Sequence, residues 1–161
     1  MAIIITAPNE VYSVENSNNI KLFLAGGITN CPDWQSELIT KILSRTIHTN
    51  LTIYQPRREN FPINDPKAAE EQITWEYNHL RDADIISFWF SEGSLNPIVL
   101  YELGMWCNSR IKPCVVGIDP NYERKQDVEI QTALARPQCK IVYSLKDIAD
   151  WVHMYMLGVL K

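Results

Sequence analysis

The run Ile85-Ile86-Ser87-Phe88-Trp89-Phe90 restricts the fold more than any other stretch of the chain. It is rich in β-branched and aromatic residues and shows no apolar–polar alternation, which suits a strand buried on both faces. A short Ser/Gly segment follows, and Pro97 stands where a helix can begin, because the first turn leaves its missing N–H unpaired anyway. Beyond it the apolar residues Val99, Leu103 and Trp106 recur at helical spacing. That helix carries one carboxylate, Glu102, among apolar neighbours. Burying a carboxylate costs free energy unless something pairs or uses it.

The same strand–loop–helix rhythm runs through the chain. Lys21 to Ala25 reads as a strand ended by Gly26-Gly27, and Pro32-Asp33 opens a helix with Trp34, Leu38, Ile39, Ile42 and Leu43 at a 3.6 period. Leu51 to Tyr54 is a second strand, followed by the loop Gln55 to Pro62. Pro66 to Leu80 is a helix with an apolar stripe of Ala69, Ile73, Tyr77 and Leu80. After the central strand and its helix come a strand at 113–118, a helix at 126–135, a strand at 140–143 and a closing helix at 145–160. Residues 1–19 read as an arm or edge strand followed by a loop, and residues 1–161 as one domain. Alternating elements of this kind predict an α/β fold, a doubly wound, five-stranded, mainly parallel sheet flanked by helices. Ligands of such sheets lie beyond the carboxyl ends of the strands, where the strand order switches. Three segments occupy that rim: Gly26 to Cys31, Gln55 to Phe61, and Ser91 to Glu102.

Composition narrows the function. A formal net charge of −4 over 161 residues argues against a nucleic-acid partner, which needs a basic excess. The Ile3-Ile4-Ile5 run is too short for a signal core or a membrane span, so the cytoplasm is the default compartment and no membrane partner is expected. Cys31, Cys107, Cys114 and Cys139 form no C-x-x-C pair and have no histidine cluster beside them. They are expected as free thiols, with no metal site and no cofactor.

The rim segments carry the candidate chemistry. Ala25-Gly26-Gly27-Ile28-Thr29-Asn30 is neither G-x-G-x-x-G nor a Walker loop, which removes the fingerprint of a dinucleotide-binding oxidoreductase. Its glycines serve either a tight turn or the close approach of a ligand. If Glu76 from the preceding helix and Asn96 share its rim, Glu102 belongs to a site of two carboxylates and a neutral amide. Paired carboxylates suit glycosyl transfer, with one attacking the anomeric carbon and the other managing the leaving-group proton. The plainer alternatives are a solvated helix face for Glu76 and a favourable helix-dipole position for Glu102. Arg57-Arg58 offers either a fork for phosphate or carboxylate, or a surface pair. Trp75, Phe88, Trp89 and Phe90 offer either stacking faces for a base or core packing, and the core is the expectation.

Leu22-Phe23-Leu24-Ala25-Gly26-Gly27-Ile28, Tyr54-Gln55-Pro56-Arg57-Arg58, Gln72-Ile73-Thr74-Trp75-Glu76, Ala83-Asp84 and Tyr101-Glu102-Leu103-Gly104, in this order and spacing, resemble the nucleoside 2-deoxyribosyltransferase family and its "deoxyribosyltransferase-like" branch. The resemblance implies a flavodoxin- or Rossmann-like domain that cleaves or transfers the N-glycosidic bond of a (2-deoxy)nucleoside or its 5′-monophosphate. It implies that Glu102 is the nucleophile forming a covalent glycosyl-enzyme and that Glu76 protonates the departing base. It also implies a substrate-binding set of Phe23, Gly26, Gly27, Asn96, Ser94, Arg57 and Asp84. Three positions depart from the family's pattern. Glu76 stands for its usual aspartate, Asn96 for a base-contacting acid, and Phe23 for a tyrosine. The last two favour an alternative, a non-catalytic module binding a nucleotide-derived ligand. A homodimer or higher homo-oligomer, whose neighbouring subunit completes the pocket, is the partner the resemblance implies.

Overall fold

The computed structural model describes residues 2–10, 18–45, 50–107 and 112–160. The elements are β1 (Ile3–Thr6), β2 (Ile20–Gly26), α1 (Trp34–Leu43), β3 (Leu51–Gln55), α2 (Pro66–Asp82), β4 (Ile85–Phe90), α3 (Pro97–Cys107), β5 (Cys114–Ile118), α4 (Lys125–Ala135), β6 (Lys140–Val142) and α5 (Leu145–Met156). They build one sheet in the order β1-β3-β2-β4-β5-β6, with every neighbouring pair parallel.

The sheet has six strands where five were expected. The extra one is β1, which lies outside β3 with Ile3 opposite Thr52 and Thr6 opposite Gln55. Its β-branched run favours the extended backbone, and Ala7 N–H adds a bond to Gln55 O at 3.0 Å. Residues 11–17, which carry part of the expected loop, lie outside the described residues.

From β2 the chain steps outward to β3, then returns over β2 to β4 and continues to β6. The connections leaving β2 and β4 therefore diverge, and their carboxyl ends flank the switch point. Right-handed crossovers then distribute the helices. On one face α1 and α5 meet, with Trp34, Leu38 and Ile42 packed among Ile148, Val152, Leu24 and Ile85. On the other, Trp75 of α2, Val99 and Leu103 of α3 and Val128 of α4 cover Phe23, Phe88 and Phe90. All of β4 is buried, its odd residues feeding one core and its even residues the other. Its one polar side chain, Ser87, donates to Phe23 O at 3.4 Å.

Two helices differ from expectation. The buried face of α2 carries Ala68, Gln72, Trp75, His79 and Leu80, so the stripe sits about one position away from Ala69, Ile73 and Tyr77. Polar residues take the inward face because they are satisfied there: Trp75 Nε1 donates to Asn9 O at 2.9 Å, and the His79 ring stacks on Trp75. The closing helix ends at Met156 rather than Leu160, because Gly158 takes a left-handed φ of 71° and Val159 N–H turns back to Met154 O. Among the described residues no helix is long and apolar enough to cross a membrane. The four cysteines are free thiols.

Candidate active site

The loops after β2, β3 and β4, together with α2 and the start of α3, enclose a cavity of about 530 Å³ at the switch point. Phe23 and Ala25 form part of its wall because alternate residues of β2 face the α2–α3 side. Glu102 enters from α3. It lies one turn beyond Val99 and beside Leu103, so the turn that buries those two carries the carboxylate inward, leaving it 7% exposed. Glu76 enters from α2 on the side next to the sheet-facing stripe.

Burial raises the pKa of both acids. Glu102 is pushed up to about 8, first by desolvation and then by the negative charge of Glu76. Glu76 is also raised by desolvation, while a hydrogen bond from Gln72 and the Arg58 charge pull the other way. Burial and mutual repulsion therefore favour states in which the pair keeps at least one proton near neutral pH. A singly protonated pair is the charge state that a nucleophile and a general acid need.

The loops that frame the acids are tightly tied. Asn96 adopts a left-handed φ of 49°, and its Nδ2 donates to Ser91 O at 3.2 Å and Ser94 O at 2.9 Å. Ser94 Oγ accepts the Asn96 N–H at 3.3 Å. The glycine loop approaches so closely that a Cβ at position 26 would meet the Trp34 ring at 2.2 Å. Its Gly27 carbonyl accepts from Trp34 Nε1 at 2.8 Å.

Of the residues expected at the site, Phe23, Gly26, Gly27, Ser94, Asn96, Glu76 and Glu102 line this cavity. Arg57 and Asp84 do not. The Arg57 guanidinium turns toward the glycine loop, where it donates to Gln35 Oε1 at 2.8 Å and to the carbonyls of Ile28, Cys31 and Pro32 at 3.3, 3.2 and 2.8 Å. Asp84 sits at the amino end of β4, the opposite edge of the sheet, and accepts Lys21 N–H at 2.8 Å. The arginine that reaches the cavity is Arg58, with Gln72 beside it. No role was expected of Gln72, although a polar residue four positions before Glu76 on one helix is placed to touch it. Phe61, Ile63, Ile73 and Ile98 supply the apolar mouth and remain substantially exposed.

A larger cavity of about 770 Å³ lies along β6 and α5, lined by residues including Arg136, Cys139, Asp150 and Trp151. Size does not make it the site. Asp150 is held by Arg45 and Lys146, which keep its carboxyl below the usual range, and Glu76 and Glu102 lie elsewhere.

Fold and cavity together define a doubly wound α/β protein with an acid pair at its topological switch point. A family model described as "Nucleoside 2-deoxyribosyltransferase like" matches residues 19–122, and the chain belongs to that family. The match spans β2 to the segment after β5 and so includes both acids. A small nucleoside-type molecule is the ligand that membership implies. Among solved structures, the chain is similar to a protein described as "conserved protein from Enterococcus faecalis V583", with a TM-score of 0.61 and 16% identity over 85% of this chain and 99% of the other. That likeness concerns the fold. No curated protein matches the chain.

Proposed function

We propose that this protein is an enzyme that cleaves or transfers the N-glycosidic bond of a (2-deoxy)nucleoside or its 5′-monophosphate through a covalent intermediate on Glu102. One observation carries the reading: a buried and a half-buried carboxyl, both with raised pKa, share a cavity at the switch point of a chain of this family. The Glu102 carboxylate attacks the anomeric carbon while the bond to the base nitrogen breaks. The electron pair of that bond leaves with the base, which takes the proton held by Glu76. The second half reverses the roles. Water, or a second base, attacks the anomeric carbon of the glycosyl ester and gives its proton to the Glu76 carboxylate, and Glu102 is released. Before substrate enters, burial and the Glu76 charge favour the proton on Glu102, so binding must relocate it within the pair without changing the pair's total charge.

The test is incubation with each deoxynucleoside and its 5′-monophosphate, followed by chromatography for free base and mass spectrometry for a glycosyl adduct. Base release that depends on Glu102 supports the reading. Turnover that survives Glu102→Ala overturns the nucleophile assignment.

A second reading, a non-catalytic module for a nucleotide-derived ligand, draws on Asn96 and Phe23. The Asn96 amide is spent on loop contacts, its Nδ2 on Ser91 O and Ser94 O and its Oδ1 on the Cys31 thiol, and Phe23 has no hydroxyl to orient an acid. Ligand-induced stabilisation with intact ligand recovered would favour it. In either case the exposed apolar mouth, with Ile63 86% and Ile98 63% exposed, supports a homo-oligomer in which a second copy covers the cavity. Sedimentation measures this directly.

A further inference from the structure

Gln72 is a polar residue on the buried face of α2, one turn before Glu76. Its carboxamide makes three hydrogen bonds. Oε1 accepts from Arg58 Nε at 2.6 Å, while Nε2 donates to Pro56 O at 2.8 Å and to Glu76 Oε1 at 2.7 Å. Turning the amide over would set N–H groups against a guanidinium and its oxygen against two acceptors, so a single orientation is enforced. Arg58 is itself fixed, by Glu71 at 2.9 Å and by the Phe61 ring with its centroid 5.6 Å away. A rigid chain of contacts thus runs from the loop after β3 to one oxygen of Glu76. A carboxyl oxygen that already accepts an N–H is the poorer seat for a proton.

We propose that Gln72 is the positioning residue of this site: locked by Arg58 and the Pro56 carbonyl, it holds one oxygen of Glu76 and so assigns the transferable proton to the other. The proposal rests on the glycosyl-transfer reading, in which that proton goes to the departing base. The charged groups around Glu76 are Arg58 from the loop after β3 and Glu102 from α3. Gln72 and Arg58 favour the carboxylate, whereas burial favours the acid. Gln72 therefore keeps Glu76 acidic enough to release its proton.

The experiment compares wild type with Gln72→Leu and Gln72→Glu. Leucine removes all three bonds and leaves Arg58 Nε and Pro56 O without that partner; glutamate keeps the acceptor for Arg58 but offers no N–H to Pro56 O or Glu76, and circular dichroism checks that each variant folds. The Glu76 carboxyl is titrated by carbon-13 NMR, and kcat and KM for base release are measured against pH. In both variants we expect the Glu76 titration and the basic limb of kcat to move to higher pH. We expect kcat to fall by about 10–100-fold, the scale set by losing one hydrogen bond to a charged group, with KM within about twofold. An unshifted Glu76 titration in either folded variant overturns the proposal; in Gln72→Leu the shift reports the lost N–H alone, whereas in Gln72→Glu charge repulsion adds to it. A shifted titration in a protein whose wild type releases no base leaves Gln72 in control of that carboxyl and removes the glycosyl-transfer reading instead. Unchanged kcat in both variants, with active wild type, removes the role of Gln72 and leaves that reading standing.

Discussion

Gly27 and Asn96 share a single space: a Cβ at position 27 would lie 1.8 Å from Asn96 Oδ1 and 2.6 Å from Cys31 Sγ. The Cys31 thiol donates to that same oxygen at 3.4 Å. The loop after β2 and the loop after β4 are therefore keyed into each other at the cavity wall. Gly27 is not among the residues with positive φ, so proximity rather than backbone conformation requires a glycine here.

Gly27→Ala accordingly forces the two loops apart while leaving the strands intact. Overpacking of this kind costs about 1–3 kcal/mol, and displacing a site loop by roughly 1 Å lowers turnover by about 100-fold. Denaturant melts and base-release rates check the two effects separately. Wild-type turnover in this variant would show that the loops close independently of one another.

Glu102 couples stability to pH. Its pKa is raised to about 8 in the fold, above its ordinary value of 4.5, so the native state binds the extra proton between those values. The stability this confers is complete below about pH 4.5 and is lost as the pH rises through about 8. Glu102→Gln keeps the shape and removes the titration. It should be more stable than wild type at pH 8, by something on the order of 1–3 kcal/mol, with the difference vanishing near pH 5, and it should release no base. Thermal melts at the two pH values decide it; an equal difference at both would place the pH dependence in another group.

The parallel sheet and the inward turn of Glu102 were legible because apolar periodicity reports burial directly. Ile85 to Phe90 suits a doubly covered strand, and Val99 and Leu103 carry Glu102 with them into the core. The phase of α2 was not legible. Its inward face is polar and satisfied by partners distant in sequence, such as Asn9 for Trp75 and Pro56 for Gln72, which no local pattern contains. The Arg57-Arg58 pair illustrates the same limit. Both residues follow one strand, but one turns toward loop carbonyls and the other toward the cavity, and only the three-dimensional positions of residues 28 to 32 distinguish them.

Arg57 is placed to act on the site without touching it. Its planar fork serves Gln35 Oε1 and three loop carbonyls at once, and Asp33 lies 3.4 Å away. Lysine retains the charge but cannot span those acceptors. Arg57→Lys should cost about 1–3 kcal/mol and should speed amide hydrogen exchange in the glycine loop while leaving β4 protected. Exchange mass spectrometry reads that contrast, and uniform loss of protection across both segments would mean that Arg57 supports the whole fold instead.

Restoring an acid at position 96 should harm the protein. The Asn96 Nδ2 group donates to two carbonyls, Ser91 O and Ser94 O, and an aspartate has no hydrogens to offer them. Asn96→Asp would place a carboxylate against two carbonyl oxygens at a position 3% exposed, and would add a third acid to a cavity that already holds Glu76 and Glu102. Leaving such groups unpaired costs about 1–3 kcal/mol, and the added negative charge pushes the carboxyl pair toward a second proton, which silences the nucleophile. The expected outcome is a lower denaturation midpoint, an acidic limb of kcat displaced to higher pH, and no gain in base release on any substrate. An Asn96→Asp variant that folds normally and turns over faster would show that the loop can release this side chain to the ligand.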